Sequence, residues 1–127
     1  MTIITHNKID QKLCGVPLFV AKNRSIIELT TTENMVADDS GLIHGGFIFG
    51  LADYAAMLAV NDPNVVLGSS EVKFLKPVVL NDLVLAEAHV EKEDGKKRIV
   101  NVVVKRGDDI VFDGSFTCFV LPEHILA

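Results

Sequence analysis

The only charged residue in the apolar run Gly46–Val60 is Asp53. Aspartate is a poor residue for a helix interior, because its short side chain competes for nearby backbone groups. Its helical neighbours three and four positions away are Phe49, Gly50, Ala56 and Met57, and none can pair with a carboxylate. A buried, unpaired carboxylate is costly, so Asp53 must face a solvated pocket, another chain or a ligand, unless it points into bulk water. His44-Gly45-Gly46 opens the same segment. The first amides of a helix lack intrahelical partners, and the helix dipole adds positive potential there. Two glycines let a substrate carbonyl approach that backbone closely, the arrangement needed to hold a developing oxyanion. The same glycines also suit close packing at a helix start, so the triplet alone does not separate the two uses.

The spacing adds a constraint. Between Gly45 and Asp53 a helix turns through about 800°, a net of roughly 80°, and rises about 12 Å. One small carbonyl cannot touch both on a single helix. If the two act together, the second comes from another subunit, so the chemistry predicts an oligomer.

These residues need a scaffold. Ala52, Ala55, Ala56, Met57, Leu58 and Ala59 are mostly good helix formers, and Gly46–Val60 is apolar nearly all round, as a buried helix is. Asn61-Asp62-Pro63 ends it. Upstream, Asn7–Leu13 reads as a short helix closed by Gly15, and Val16–Ala21 and Arg24–Thr30 as strands joined by a Lys22-Asn23 turn. Thr31–Ile43 has loop chemistry. Downstream, Val65–Val79, Leu83–Glu91, Arg98–Lys105 and Ile110–Leu121 are rich in β-branched and aromatic residues. Asn81-Asp82, Asp94-Gly95 and Gly107-Asp108 fall at hairpin spacing. In the last strand Ile110, Phe112, Gly114, Phe116, Cys118 and Val120 alternate onto one face. Four successive antiparallel strands after a buried helix predict an α+β domain, a sheet wrapped around a central helix. The apolar runs Arg98–Lys105 and Val65–Phe74 each call for a partner along an edge or face.

With 127 residues, 49% hydrophobic and 23% charged, the chain is expected to form one globular domain, residues 1–127. A net charge of −5 argues against a nucleic-acid partner. Cys14 and Cys118 are too few for a disulfide framework or zinc module, and His6, His89 and His124 stand singly, without metal-ligand spacing. No metal and no cofactor is expected. The start lacks a signal-peptide pattern, and Asp53 interrupts the apolar run well short of the roughly 20 residues that span a bilayer. No membrane association and a reduced, cytoplasmic setting are expected.

The pattern His44-Gly-Gly-(x)4-Leu51-Ala-Asp53-x-Ala resembles the signature of the hotdog-fold acyl-CoA thioesterases, of the phenylacetic-acid-pathway-like branch. Ser69-Ser-Glu-Val-Lys-Phe-Leu-Lys-Pro77 is similar to a strand of that family ending in Phe-Leu-(Arg/Lys)-Pro, and the likeness in element order runs from Leu13 to Val120. The resemblance implies a hotdog fold and hydrolysis of a small or medium acyl-CoA by a homodimer, or a dimer of dimers. It implies that the Gly45 amide polarises the thioester carbonyl, with His44 helping to shape that turn and Gly46 among the substrate-binding positions. It further implies that Asp53 of the partner subunit is general base or nucleophile, and that Ser69 or Ser70 orients the water or the carboxylate. Family members often carry Asn six residues before the His-Gly-Gly histidine, and this chain has Asp38 there. A second carboxylate in the pocket would raise the pKa of its neighbour. Lys76 and Arg98 are the candidates for coenzyme A phosphates. The alternative is a non-hydrolytic acyl-CoA binder or sensor, since Glu91–Leu121 also resembles the effector domain of a bacterial fatty-acid-synthesis repressor. No DNA-binding helix pair precedes the domain in this sequence, which argues against direct repression. A hotdog dehydratase would need a different pairing of histidine and acid. The acyl chain, and coenzyme A against acyl carrier protein, are open on these residues.

Overall fold

The computed structural model describes residues 1–127 throughout. The elements are α1 (Gln11–Cys14), β1 (Val16–Ala21), β2 (Arg24–Thr30), a 3-10 turn (Glu33–Met35), α2 (Gly45–Val60), β3 (Val65–Phe74), β4 (Leu83–Asp94), β5 (Lys97–Arg106) and β6 (Asp109–Val120). The strands form one antiparallel sheet in the order β1-β2-β4-β5-β6-β3. The sheet wraps around α2, the hotdog arrangement.

Alanines make that wrapping possible. Ala52, Ala55, Ala56 and Ala59 on α2 and Ala86 and Ala88 on β4 are all fully or nearly fully buried, so helix and sheet close to backbone range. Val100, Val102, Val104, Phe112 and Phe116 fill the rest of the concave face. One polar tie crosses this core. The buried Ser25 hydroxyl on β2 donates to the Ala55 carbonyl at 2.6 Å. Asn61 ends α2 in the left-handed conformation (φ 49°), its amide donating to the Met57 carbonyl at 2.8 Å.

Four expectations are corrected. The first helix is not Asn7–Leu13 but the single turn Gln11–Cys14, because Asp10 caps it through the Lys12 amide (2.9 Å) while residues 7–8 form a turn. β3 stops at Phe74 rather than Val79. There the amides of Leu75 and Lys76 both turn onto the Val111 carbonyl (2.8 and 3.2 Å), and Pro77 cannot extend a ladder. In β6, Val104 pairs with Phe112 and Lys105 with Ile110, so Val111 is a bulged extra residue. Val111 is therefore buried, and Ile110 is 41% exposed instead of lying on the Phe112 face. Finally, β3 and β4 do not form a hairpin at Asn81-Asp82. β3 crosses to the far edge beside β6, and β5, containing Arg98–Lys105, is central and paired on both sides within the chain. Of the two apolar runs, only Val65–Phe74 is left with an open edge.

Candidate functional site

The start of α2 is a free donor pair. His44 is the N-cap in extended conformation, with no side-chain cap, and the first helical amide that bonds back is that of Phe47, to the His44 carbonyl at 3.1 Å. The amides of Gly45 and Gly46 have no hydrogen-bond partner. Side chains crowd both glycines: a Cβ on Gly45 would sit 3.0 Å from the Phe74 ring, and one on Gly46 would sit 2.9 Å from His44 Nε2. Close packing and unbonded amides thus occur together. Gly45 lines a cleft of about 330 Å³ with Ile48, Phe74, Lys76, Pro77 and Val111.

Asp53 lies in the middle of α2, half-buried, and neither a hydrogen bond nor an ion pair reaches its carboxylate. Burial alone pushes its pKa up to about 6. It opens onto a second cleft of about 380 Å³, walled by Thr5, His6, Met57, Leu67 and His124. Cys14 and the buried Cys118 feel the same carboxylate: burial first, then nearby acidic charge including Asp53, pushes both thiols up, Cys118 to about 12. Neither is a reactive thiolate at neutral pH. The Gly45 and Asp53 clefts share no wall residue. Within one chain the two groups serve different spaces, as the helical spacing implies.

The other sequence candidates are spread out. Ser69 and Ser70 stand exposed on edge strand β3, just past an irregularity between Leu67 and Ser69, and line neither cleft. Lys76 is beside Gly45 and ion-paired to Asp109 at 2.9 Å, which holds the Asp109 carboxyl below its usual range. Arg98 is at the β4–β5 hairpin, bonded to Glu93 (3.0 Å) and to the Gly95 carbonyl (2.6 Å), away from both clefts. Asp38 sits at an exposed turn, where the Ser40 hydroxyl (2.5 Å) and amide (2.9 Å) hold its carboxyl below the usual range. Within the chain it has no part in the raised pKa of Asp53, which burial accounts for. A trough of about 880 Å³ between residues 7–13 and β2 is larger than either cleft, but holds neither group.

Sequence reasoning missed His6, His124 and Thr5. Each is remote from Asp53 along the chain, and no local pattern signals their convergence. No three His, Cys, Asp or Glu side chains are grouped to hold a metal ion, and no helix is long and apolar enough to cross a membrane.

The raised Asp53 pKa carries a stability prediction. The folded chain holds a proton on Asp53 up to about pH 6, whereas an unfolded chain releases it near 3.8. Stability from this group is therefore fullest below pH 3.8 and is lost as pH rises through 6. At pH 7 the charge costs on the order of 2 kcal/mol. Asp53→Asn should raise the urea midpoint at pH 7–8 and leave it nearly unchanged at pH 4. An equal effect at both pH values would contradict a desolvated carboxylate.

With this geometry in view, the likenesses to known proteins are informative. The thioesterase superfamily profile matches residues 40–112, more than half of the chain, from before α2 into β6. An uncharacterized protein from Pyrococcus horikoshii shares 46% identity over all of this chain and 98% of its own, with a TM-score of 0.99. A sigma28-regulated virulence protein from Campylobacter jejuni shares 34% over 98% of this chain and 89% of its own, with a TM-score of 0.96. A Streptococcus mutans protein bound to acetyl CoA has the same fold at 22% identity, covering 93% and 97% of the two chains, with a TM-score of 0.82. Among curated relatives, a methylthioribose-1-phosphate isomerase of Aquifex aeolicus is 52% identical over 95% of this chain. The transcription factor FapR of Caldanaerobacter subterraneus is 30% identical over 81% of it. The chain spans 27% of the first relative's length and 52% of the second's.

Proposed function

This chain belongs to the thioesterase superfamily, and on that premise we propose that it binds a small or medium acyl-CoA and hydrolyses the thioester as a homodimer. The observation that carries the reading is the division of labour along α2. Unbonded amides occupy its start, and a lone carboxylate with a raised pKa occupies a separate cleft at its middle. Bringing Gly45 of one protomer to the partner's Asp53 completes a site that neither chain has alone. β3, ten residues long and paired with β6 on one side only, offers its open edge for such an assembly.

In this site the thioester carbonyl accepts from the Gly45 amide, and the negative charge that forms on its oxygen is held there. Asp53 removes a proton from water as the water oxygen bonds to the acyl carbon. The carbon–sulfur bond then breaks, its electron pair leaving with the thiolate. A pKa near 6 makes Asp53 a stronger base than an ordinary aspartate while leaving it mostly ionised at pH 7. Ser70 or Ser69 would orient the water once a second protomer lies against β3, and Lys76 would exchange Asp109 for a coenzyme A phosphate. The acetyl CoA held by the Streptococcus mutans protein supports a fold able to take such a ligand.

The likeness to FapR favours one other reading, an acyl-CoA binder that does not hydrolyse. A hydrolysis panel of short, long and aromatic acyl-CoAs, run beside direct binding, separates the two. Hydrolysis of at least one member, lost in Asp53→Asn, supports the enzyme. Tight binding with no turnover, indifferent to that substitution, identifies the binder.

A further inference from the structure

We propose that His6 is the proton-transfer partner of Asp53, taking the proton that the carboxylate removes from water and passing it to the departing thiolate. This rests on the hydrolytic reading above and adds a residue from outside the family pattern of the helix.

The placement of His6 is built, not incidental. Asn61, the residue that ends α2, grips the N-terminal arm through both ends of its side-chain amide. Its Oδ1 accepts from the Ile4 amide at 3.0 Å, and its Nδ2 donates to the Thr2 carbonyl at 2.9 Å. The arm is thereby held at the C-terminal end of α2, the helix that carries Asp53. Thr5 is then buried, and its hydroxyl lies 2.8 Å from His6 Nδ1. His6 itself takes a left-handed backbone conformation (φ 53°), unfavourable for a non-glycine residue. Its carbonyl accepts from the Ile9 amide at 3.3 Å, closing a turn. Burial, a buried hydroxyl contact and an unfavourable backbone conformation together fix one imidazole in the wall of the Asp53 cleft.

The chemistry of that cleft suits the role. With Nδ1 engaged by Thr5, Nε2 is the ring nitrogen without a partner. Burial lowers the His6 pKa, so the ring is neutral at pH 7 and able to accept a proton. The other titratable groups lining the cleft are Asp53, on α2, and His124, in the C-terminal segment; no Lys, Arg or Glu lines it. His6 and Asp53 are not hydrogen-bonded to each other, and the cleft of about 380 Å³ that both line has room for water, at about 30 Å³ per molecule. The balance is closed. Water gives its hydroxyl to the acyl carbon and its proton to Asp53. The imidazole takes that proton, and the thiolate takes it in turn, so thioester and water become acid and thiol, with Asp53 again ionised.

The test uses the full chain and the acyl-CoA on which the wild type is most active. His6→Gln keeps a polar group near Thr5 but cannot titrate. It should lower single-turnover hydrolysis by about 10–100-fold, at or below the low end of general acid–base effects, with acyl-CoA affinity within twofold of wild type. The acid side of its pH–rate profile should fall with one proton instead of two. His6→Ala should lose activity similarly and regain part of it with added imidazole, which a merely structural role would not permit. Wild-type hydrolysis with an equally active His6→Gln would overturn the role and leave the hydrolytic reading standing. Loss in both variants, with no change of slope and no return with imidazole, would also overturn it. A wild type silent on the whole panel would remove both.

Discussion

Asp53→Asn is expected to abolish most turnover while sparing binding. The amide fits where the carboxylate was, so the shape of the cleft is kept and the base is removed. The expected loss is about 10²–10⁴-fold in single-turnover hydrolysis, the usual range for a positioned general base. Acyl-CoA affinity should hold or improve, since a charge near the bound thioester has gone. Stability at pH 7 should rise, because burial is what pushes the Asp53 pKa up to about 6. Lower activity with higher stability is the signature of a residue kept for chemistry. A variant both less stable and less active would point instead to a carboxylate that helps to build the fold.

Gly45→Pro should produce the second large effect, with a cleaner structural control than most proline substitutions offer. Gly45 is the first residue of α2, the helical position where proline is best tolerated, because its missing N–H has no intrahelical partner. The change therefore deletes one unbonded amide at little expense to the helix. Removing one oxyanion donor costs about 10²–10³-fold in turnover. Any Cβ at this position meets the Phe74 ring at 3.0 Å, so Gly45→Ala is the necessary companion. It carries the added bulk but keeps the amide, and exposed Phe74 has room to yield. Hydrolysis by Gly45→Ala within tenfold of wild type, with Gly45→Pro far below it, would assign the effect to the amide. Equal losses would assign it to displacement of Phe74.

The parts of this molecule legible in its sequence are those that local chemistry decides. The α2 helix follows from a long apolar run of good helix formers closed by Asn61-Asp62-Pro63, and β1 and β2 from β-rich runs around Lys22-Asn23. The separation of Gly45 from Asp53 needs only the helical repeat. What was not legible depends on distant partners or on a single inserted residue. The Val111 bulge shifts Ile110 out of the alternation, and only the pairing with β5 reveals it. The strand order puts β3 at an edge, a fact about β6 rather than about β3. Asp38 raised the prospect of a crowded pocket, yet Ser40, two residues on, occupies it. Arg98 read as a candidate for a coenzyme A phosphate. Its pairing with Glu93 follows from the β4–β5 register, in which the two residues face each other across the hairpin. His6 was invisible for a different reason. Its importance rests on meeting a helix whose sequence lies almost fifty positions away.

The Asp53 cleft is walled on one side by Thr5 and His6 and also by His124 and Ile125. Residues 5–6 and 124–125, far apart along the chain, therefore wall one opening. A polyhistidine tag carried close to either segment would bring further imidazoles to that opening. Kinetic work on this protein is best done with tags cleaved.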